Sequence, residues 1–216
     1  MIAWAAVDPA TGEAEDDNGA HVFAAASTIK LFVYSAYRRS ELAGEEVVAQ
    51  EQTGGSGVSE YLRTPLTLDD HAFLMIAVSD NASTNVLLEL LGLDAVSAEI
   101  ERLGLSRTRV RRAMMRDGPE NETTPLDLAH GLARLLDEPF AEGLRTALRV
   151  AADAESFLPH LLRGVDVGAK SGELETVRHE VAVLEDGARQ LVTAVCSSPP
   201  ERPNALAGVA AQRWAA

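Results

Sequence analysis

Apolar and polar positions change their spacing twice along this chain. Ile2 to Val7 and Val22 to Ala26 are short apolar runs of strand type, on either side of a loop with Asp8-Pro9-Ala10-Thr11-Gly12 and acidic residues at its tip. From about Ser27 to Arg163 the apolar spacing becomes helical. Leu68 to Val78 repeats with that period behind Thr67, a predicted N-cap. Gly92 ends one predicted helix, Asp94 starts the next and Gly104 closes it. Thr124-Pro125-Leu126-Asp127 supplies an N-cap followed by proline at the first helical position. Strand signals return at Val165 to Gly168, Val177 to Leu184 and Gln190 to Cys196, the last two joined through Asp186-Gly187, a hairpin sequence. Pro199, Pro200 and Pro203 then break the chain ahead of a short helix through Trp214.

This order predicts an α/β chain of the α+β two-lobe kind, a five-stranded antiparallel sheet flanked by helices with an all-helical lobe inserted. The sheet lobe takes about 1–30 and 161–216, and the helical lobe about 31–160. At 216 residues and 46% hydrophobic, the chain can bury one sizeable core, as one domain or two closely packed lobes.

A net charge of −14 argues against nucleic acid as a partner, because the phosphate backbone would be repelled. An anionic substrate would need a local positive well, which Lys30, Lys170 and Arg178 could supply. Cys196 is the only cysteine, which excludes an intrachain disulfide and a thiolate cluster, and it reads as a small buried residue. The five histidines show no metal-ligand spacing, so neither a metal nor another cofactor is expected. No run approaches the ~20 apolar residues of a membrane span. Met1 leads into strand-like sequence without a basic leader. As written the chain reads as cytoplasmic, and as exported if its start lies upstream.

The candidate chemistry begins at Ser27-Thr28-Ile29-Lys30, where an apolar extended run passes into a helix. A serine and a lysine three apart at a helix start lie on one face, so the lysine can take the serine's proton if burial or nearby positive charge lowers its pKa. Alone the pattern is common, and Ser27 reads equally well as a helix cap. Two further elements stand at structural junctions: Ser79-Asp80-Asn81 and Lys170-Ser171-Gly172. Asp80 alone reads as a local cap, and Lys-Ser-Gly as a turn. Lys30 and Lys170 are the chain's two lysines, and both fall inside these elements while arginine supplies every other fixed cation.

Together and in this order, the three elements resemble the set that marks class A β-lactamases and penicillin-binding proteins. Gly55-Ser56-Gly57-Val58, Leu66-Thr67-Leu68, Ser83-Thr84-Asn85-Val86-Leu87-Leu88, Leu103-Gly104-Leu105 with Thr108, and Glu120 to Pro125 look like that family's helical part. Val177-Arg178-His179-Glu180-Val181 looks like its next strand. The chain is therefore similar, over nearly its whole length, to a short class A β-lactamase-like serine hydrolase without the usual long first helix.

The resemblance implies roles. Ser27 would be the nucleophile, Lys30 its base or proton relay, and Ser79 the donor to the leaving nitrogen. Asn81 would bind Lys30 and a substrate carbonyl; Lys170 and Ser171 would receive a substrate carboxylate at a strand edge. The backbone N–H groups of Ser27 and of Glu173, just past Gly172, would form the oxyanion hole. Serine in place of the commoner threonine at 171 keeps the hydroxyl. Arg178 is a candidate second carboxylate-binding cation, with an ion pair to Glu180 as the competing reading.

One departure matters. The family's deacylating glutamate, in an omega loop, has no counterpart string; its position falls near Met114, and the stretch from Met115 to Thr123 is too short for a full loop. Glu120 and Glu122 are the nearest carboxylates, though acidic residues before a helix also favour its dipole. Three functions stay open: opening a β-lactam through a Ser27 acyl-enzyme, acting on esters or D-alanyl peptides with β-lactams as slow inhibitors, or binding such small molecules without turnover.

Overall fold

Side chains alternate between the two faces of a strand, so a strand covered on both faces reads as nearly continuous apolar sequence. Val177 to Leu184 does so because helices pack on both sides of the sheet that contains it. The computed structural model describes residues 1–48 and 50–216. In chain order, β1 (Ile2–Val7), β2 (Ala14–Asp17) and β3 (Phe23–Ala24) lead through a 3-10 turn at Ala26–Ile29 into α1 (Lys30–Arg39). β4 (Val47–Val48) and β5 (Leu66–Thr67) pair with each other ahead of α2 (Leu68–Ala77), α3 (Asn81–Leu91) and α4 (Leu93–Arg102). β6 (Glu122–Thr123), α5 (Pro125–Leu135), α6 (Ala141–Glu155) and α7 (Leu158–Leu161) follow. β7 (Asp166–Leu174), β8 (Val177–Glu185), β9 (Gln190–Ser197) and α8 (Pro203–Ala215) complete the fold.

The five-stranded sheet runs β2-β1-β9-β8-β7, antiparallel throughout. On one face Val181, Val183, Val192 and Ala194 join Leu31, Phe32, Leu128 and Leu132 in the larger core. On the other, Val167, Ala169, Ala182, Leu184 and Val195 pack against Leu206, Ala207 and Ala210 of α8. Each fully buried Leu, Val or Phe stabilises the fold by about 1.5–3 kcal/mol. Cys196 lies wholly within this packing, and burial pushes its thiol pKa up. Among the described residues, no helix is long and apolar enough to cross a membrane.

The sheet's second strand departs from the sequence expectation. Of Val22 to Ala26 only Phe23–Ala24 is extended, and it pairs with β6 outside the main sheet. The edge position belongs to Ala14–Asp17, expected as part of the loop. Those four residues are exposed and three are acidic, so no apolar alternation marks them; the strand forms through backbone pairing to β1, and its charges blunt a sheet edge. β7 also runs further than expected, because the chain turns at Glu175-Thr176, and Lys170-Ser171-Gly172 therefore lies within an edge strand. α4 starts one residue early, on Gly92 at φ +76°, with Asp94 in its first turn.

Candidate active site

Ser27 lies in the 3-10 turn, and neither that turn nor α1 takes a side-chain cap, so its hydroxyl is not used as a helix cap. The residue before it, Ala26, is held at φ +48°, a left-handed conformation that costs an alanine about 1–2 kcal/mol. Thr28 fixes the turn by donating its hydroxyl to the Ala25 carbonyl at 2.6 Å. Ser27 opens into a cleft of about 300 Å³ that Ser56, Ser79, Ser171, Gly172 and Glu173 also line.

Lys30, the first residue of α1, is fully buried. Its Nζ donates to the Ser79 carbonyl at 2.6 Å, to Asn81 Oδ1 at 2.7 Å and to the Ser79 hydroxyl at 3.2 Å. Ser27 is not among its hydrogen-bond partners within the described residues. Burial and, next, the Lys170 charge hold the Lys30 pKa well below the ordinary lysine value. Ser79 reaches the ammonium from φ +55°, at the junction between α2 and α3. Asp80 caps α3 through the Ser83 N–H at 2.8 Å, and it also accepts from Val58 N, Ser59 N and the Ser59 hydroxyl at 2.6–2.8 Å. The local-cap reading of Asp80 thus holds, and the same carboxylate pins the glycine-rich loop over the cleft. Asn81 Nδ2 donates to Gly54 O in that loop at 3.0 Å.

β7 brings its lysine in from the other side. Lys170 is fully buried, its Nζ donates to the Ser171 carbonyl at 3.0 Å, and burial lowers its pKa to about 8. Gly172 explains its own identity: a Cβ there would come within 3.0 Å of Ser27 N and 3.1 Å of Thr28 N. Strand and Ser27 turn touch backbone to backbone, which brings the Ser27 and Glu173 peptides to one region.

The remaining candidates are placed less simply. Arg178 lines the cleft but is bonded to Glu173, its neighbour across the hairpin, and not to Glu180. Glu120 shares a second cavity with Ser27, Asn81 and Met114, and its carboxylate is bound by Arg112 Nη2 at 2.6 Å. Glu122 sits on β6, paired with Arg111 at 2.7 Å, and does not line either cavity. His179 is fully buried and bonds the Ala24 carbonyl through Nε2 at 2.7 Å, a packing role.

Two further carboxylates lie at the cleft, Glu155 without a place in the sequence reading and Glu180 named there only as a competing partner for Arg178. Glu155, the last residue of α6, accepts the Ser171 hydroxyl proton. Glu180 faces Ser171 across the β7–β8 register and is 5% exposed; burial raises its pKa to about 7, against the Ser156 hydroxyl, which lowers it. Both carried a signal: an acid at a helix C-terminus opposes the dipole, and an acid amid an apolar strand must be paired or neutral.

Among curated proteins no sequence match is found. Among solved structures, the chain is similar to a β-lactamase from Sphaerobacter thermophilus, with 30% identity, a TM-score of 0.86, and coverage of 96% of this chain and 86% of that one. A class A β-lactamase from Mycobacterium abscessus superposes with a TM-score of 0.84 at 22% identity, covering 100% and 94%. A mutant of PBP-A, solved as an acyl-enzyme complex with penicillin G, gives 0.86 at 20% identity, covering 97% and 87%. A family model described as the beta-lactamase enzyme family matches residues 2–213, and with the site geometry and the 30% identical relative this establishes that the chain belongs to that family.

Proposed function

We propose that the protein is a serine hydrolase in which Ser27 is acylated by a strained or activated carbonyl, with the β-lactam amide as the leading substrate. The observation that carries this reading is the convergence of Ser27, Ser79, Ser171 and Gly172 on one cleft, with the buried Lys30 bonded to Ser79 and Asn81 behind it. A neutral Lys30 takes the Ser27 proton as Oγ bonds to the carbonyl carbon, and the oxygen's negative charge falls to the Ser27 and Glu173 N–H groups. The C–N bond then breaks, and the departing nitrogen takes a proton from the Ser79 hydroxyl, which Lys30 replaces. Water ends the cycle by breaking the new ester bond, releasing the acid and restoring the Ser27 hydroxyl.

A second reading has its own support. Esters or small amides would be the turnover substrates, and β-lactams would acylate Ser27 and leave slowly. It is favoured by the pairing of Glu120 to Arg112, which engages a carboxylate that shares a cavity with Ser27. Intact-protein mass spectrometry after mixing with benzylpenicillin tests both. A transient adduct with accumulating penicilloate supports a β-lactamase, and a persistent adduct supports the second reading. Neither adduct nor penicilloate overturns both β-lactam readings and leaves ester substrates to be tried, and an adduct that survives Ser27→Ala overturns the nucleophile assignment.

A further inference from the structure

Substrate discrimination at this cleft is set by what stands beside Ser171. Three groups could receive a substrate carboxylate there, and each already has a carboxylate of the chain itself. The Ser171 hydroxyl donates to Glu155, the Arg178 guanidinium is held by Glu173, and the charge of buried Lys170 is offset by Glu155. Glu180 adds a fourth group, opposite Ser171 on the adjoining strand and lining the same cleft. It is 5% exposed, and its Oε1 has no hydrogen-bond partner among the described residues. A buried acceptor without a donor is costly, and a donor arriving with the substrate would relieve it. An incoming carboxylate would have to displace the Glu155 carboxylate from Ser171 and, above about pH 7 where Glu180 is ionised, lie against a second like charge, a placement that disfavours binding.

Resting on the Ser27 reading in its ester or small-amide form, we propose that Glu155 and Glu180 form a subsite for a hydrogen-bond-donating group, a carboxamide or an ammonium, so that the preferred acyl donor lacks the carboxylate of a β-lactam or a D-alanyl peptide at this position. The two glutamates are then specificity determinants that touch the leaving side of the substrate, and Ser171 serves them and not an anion.

The test, run at about pH 8 where Glu180 is ionised, uses two phenylacetyl thioesters that differ in one group, the thioester of thioglycolate and that of thioglycolamide, with thiol release followed for the whole chain and Ser27→Ala as the blank. Wild type should favour the carboxamide by about tenfold or more in kcat/KM. Glu155→Gln, at an exposed position, and Glu180→Gln should each shift that ratio toward the carboxylate by about tenfold. A wild type that prefers the carboxylate, or a ratio that neither variant moves, overturns the subsite while leaving Ser27 as nucleophile. Release no faster than the blank with both probes overturns the nucleophile reading, and this subsite with it.

Discussion

Lys30 Nζ lies 2.6 Å from the Ser79 carbonyl oxygen and 3.2 Å from the Ser79 hydroxyl, so the start of α1 and the α2–α3 junction are tied by one buried amine. Because burial lowers its pKa, more of the neutral, proton-accepting amine is present near neutrality than in an ordinary lysine. Lys30→Arg keeps a cation but removes a usable base, and acylation should fall by about 100-fold or more. Wild-type acylation should also decline as pH falls through the lowered Lys30 pKa. Rapid-mix mass spectrometry reads both, and a Lys30→Arg variant acylating at the wild-type rate would remove Lys30 from the mechanism.

Gly172 permits the backbone contact between β7 and the nucleophile turn. In Gly172→Ala the new Cβ would meet Ser27 N at 3.0 Å, against backbone that cannot swing aside, so strand and turn must separate. Losing one oxyanion donor costs about 100- to 1000-fold in comparable sites. The expected outcome is an acylation rate lowered by about that factor with a native circular dichroism spectrum; an unchanged rate would dissociate Glu173 from the oxyanion hole.

Asp80 is a structural anchor within a catalytic motif. Burial raises its pKa, but the Ser59 hydroxyl and the Ser83, Ser59 and Val58 N–H groups outweigh this and leave it lowered. A carboxylate with a depressed folded pKa stabilises the fold above the ordinary carboxylate range, and that contribution is lost as pH falls through the folded value. Asp80→Ala should cost about 3–5 kcal/mol, and Asp80→Asn should flatten the acid limb of stability. Urea unfolding across the acid range checks this; an acid limb as steep as wild type's would move the titration elsewhere.

Much of this was legible because local chemistry agreed with the tertiary structure. Thr67 forms a capping box with Asp70, and Thr124 caps α5 ahead of Pro125, both marked by side chains that satisfy their own backbone. Ser27, Ser79 and Lys170 could be found because they occur as short ordered strings. Glu155 escaped because its partner Ser171 is sixteen residues away and reached only through the packing of α6 beside β7. The edge strand Ala14–Asp17 escaped because backbone pairing leaves no trace in side-chain polarity. Alternation offers Glu180 as the competing partner for Arg178, whereas the register sets Glu173 opposite it.

Glu180 offers a stability test independent of turnover. Burial raises its folded pKa to about 7, so between roughly pH 4.5 and 7 the folded chain holds a proton that the unfolded chain has lost. The stabilisation is complete below the unfolded pKa and lost as pH rises through about 7, on the order of 3 kcal/mol across that window. Glu180→Gln should remove the decline and melt higher than wild type near pH 8; parallel Tm profiles for the two proteins would contradict it.

The position expected from the sequence for a deacylating carboxylate falls near Met114, which lines a cavity with Ser27. Asn85 clamps its backbone, accepting from Met114 N at 2.8 Å and donating to Met114 O at 3.0 Å, so the position is fixed while its side chain lines the cavity shared with Ser27 and Asn81. A glutamate there would add a carboxylate to the cavity that holds Ser27, beside Glu120, which Arg112 already engages. Positioned general bases contribute about 100-fold or more, and a first, unoptimised placement should recover about tenfold of it. In Met114→Glu the penicilloyl adduct should therefore decay about tenfold faster, with its formation little changed. Equal decay rates would mean that water reaches the ester along another side of the cleft, and Glu120→Gln, slowing decay in wild type, would then identify Glu120 as the base despite its pairing to Arg112.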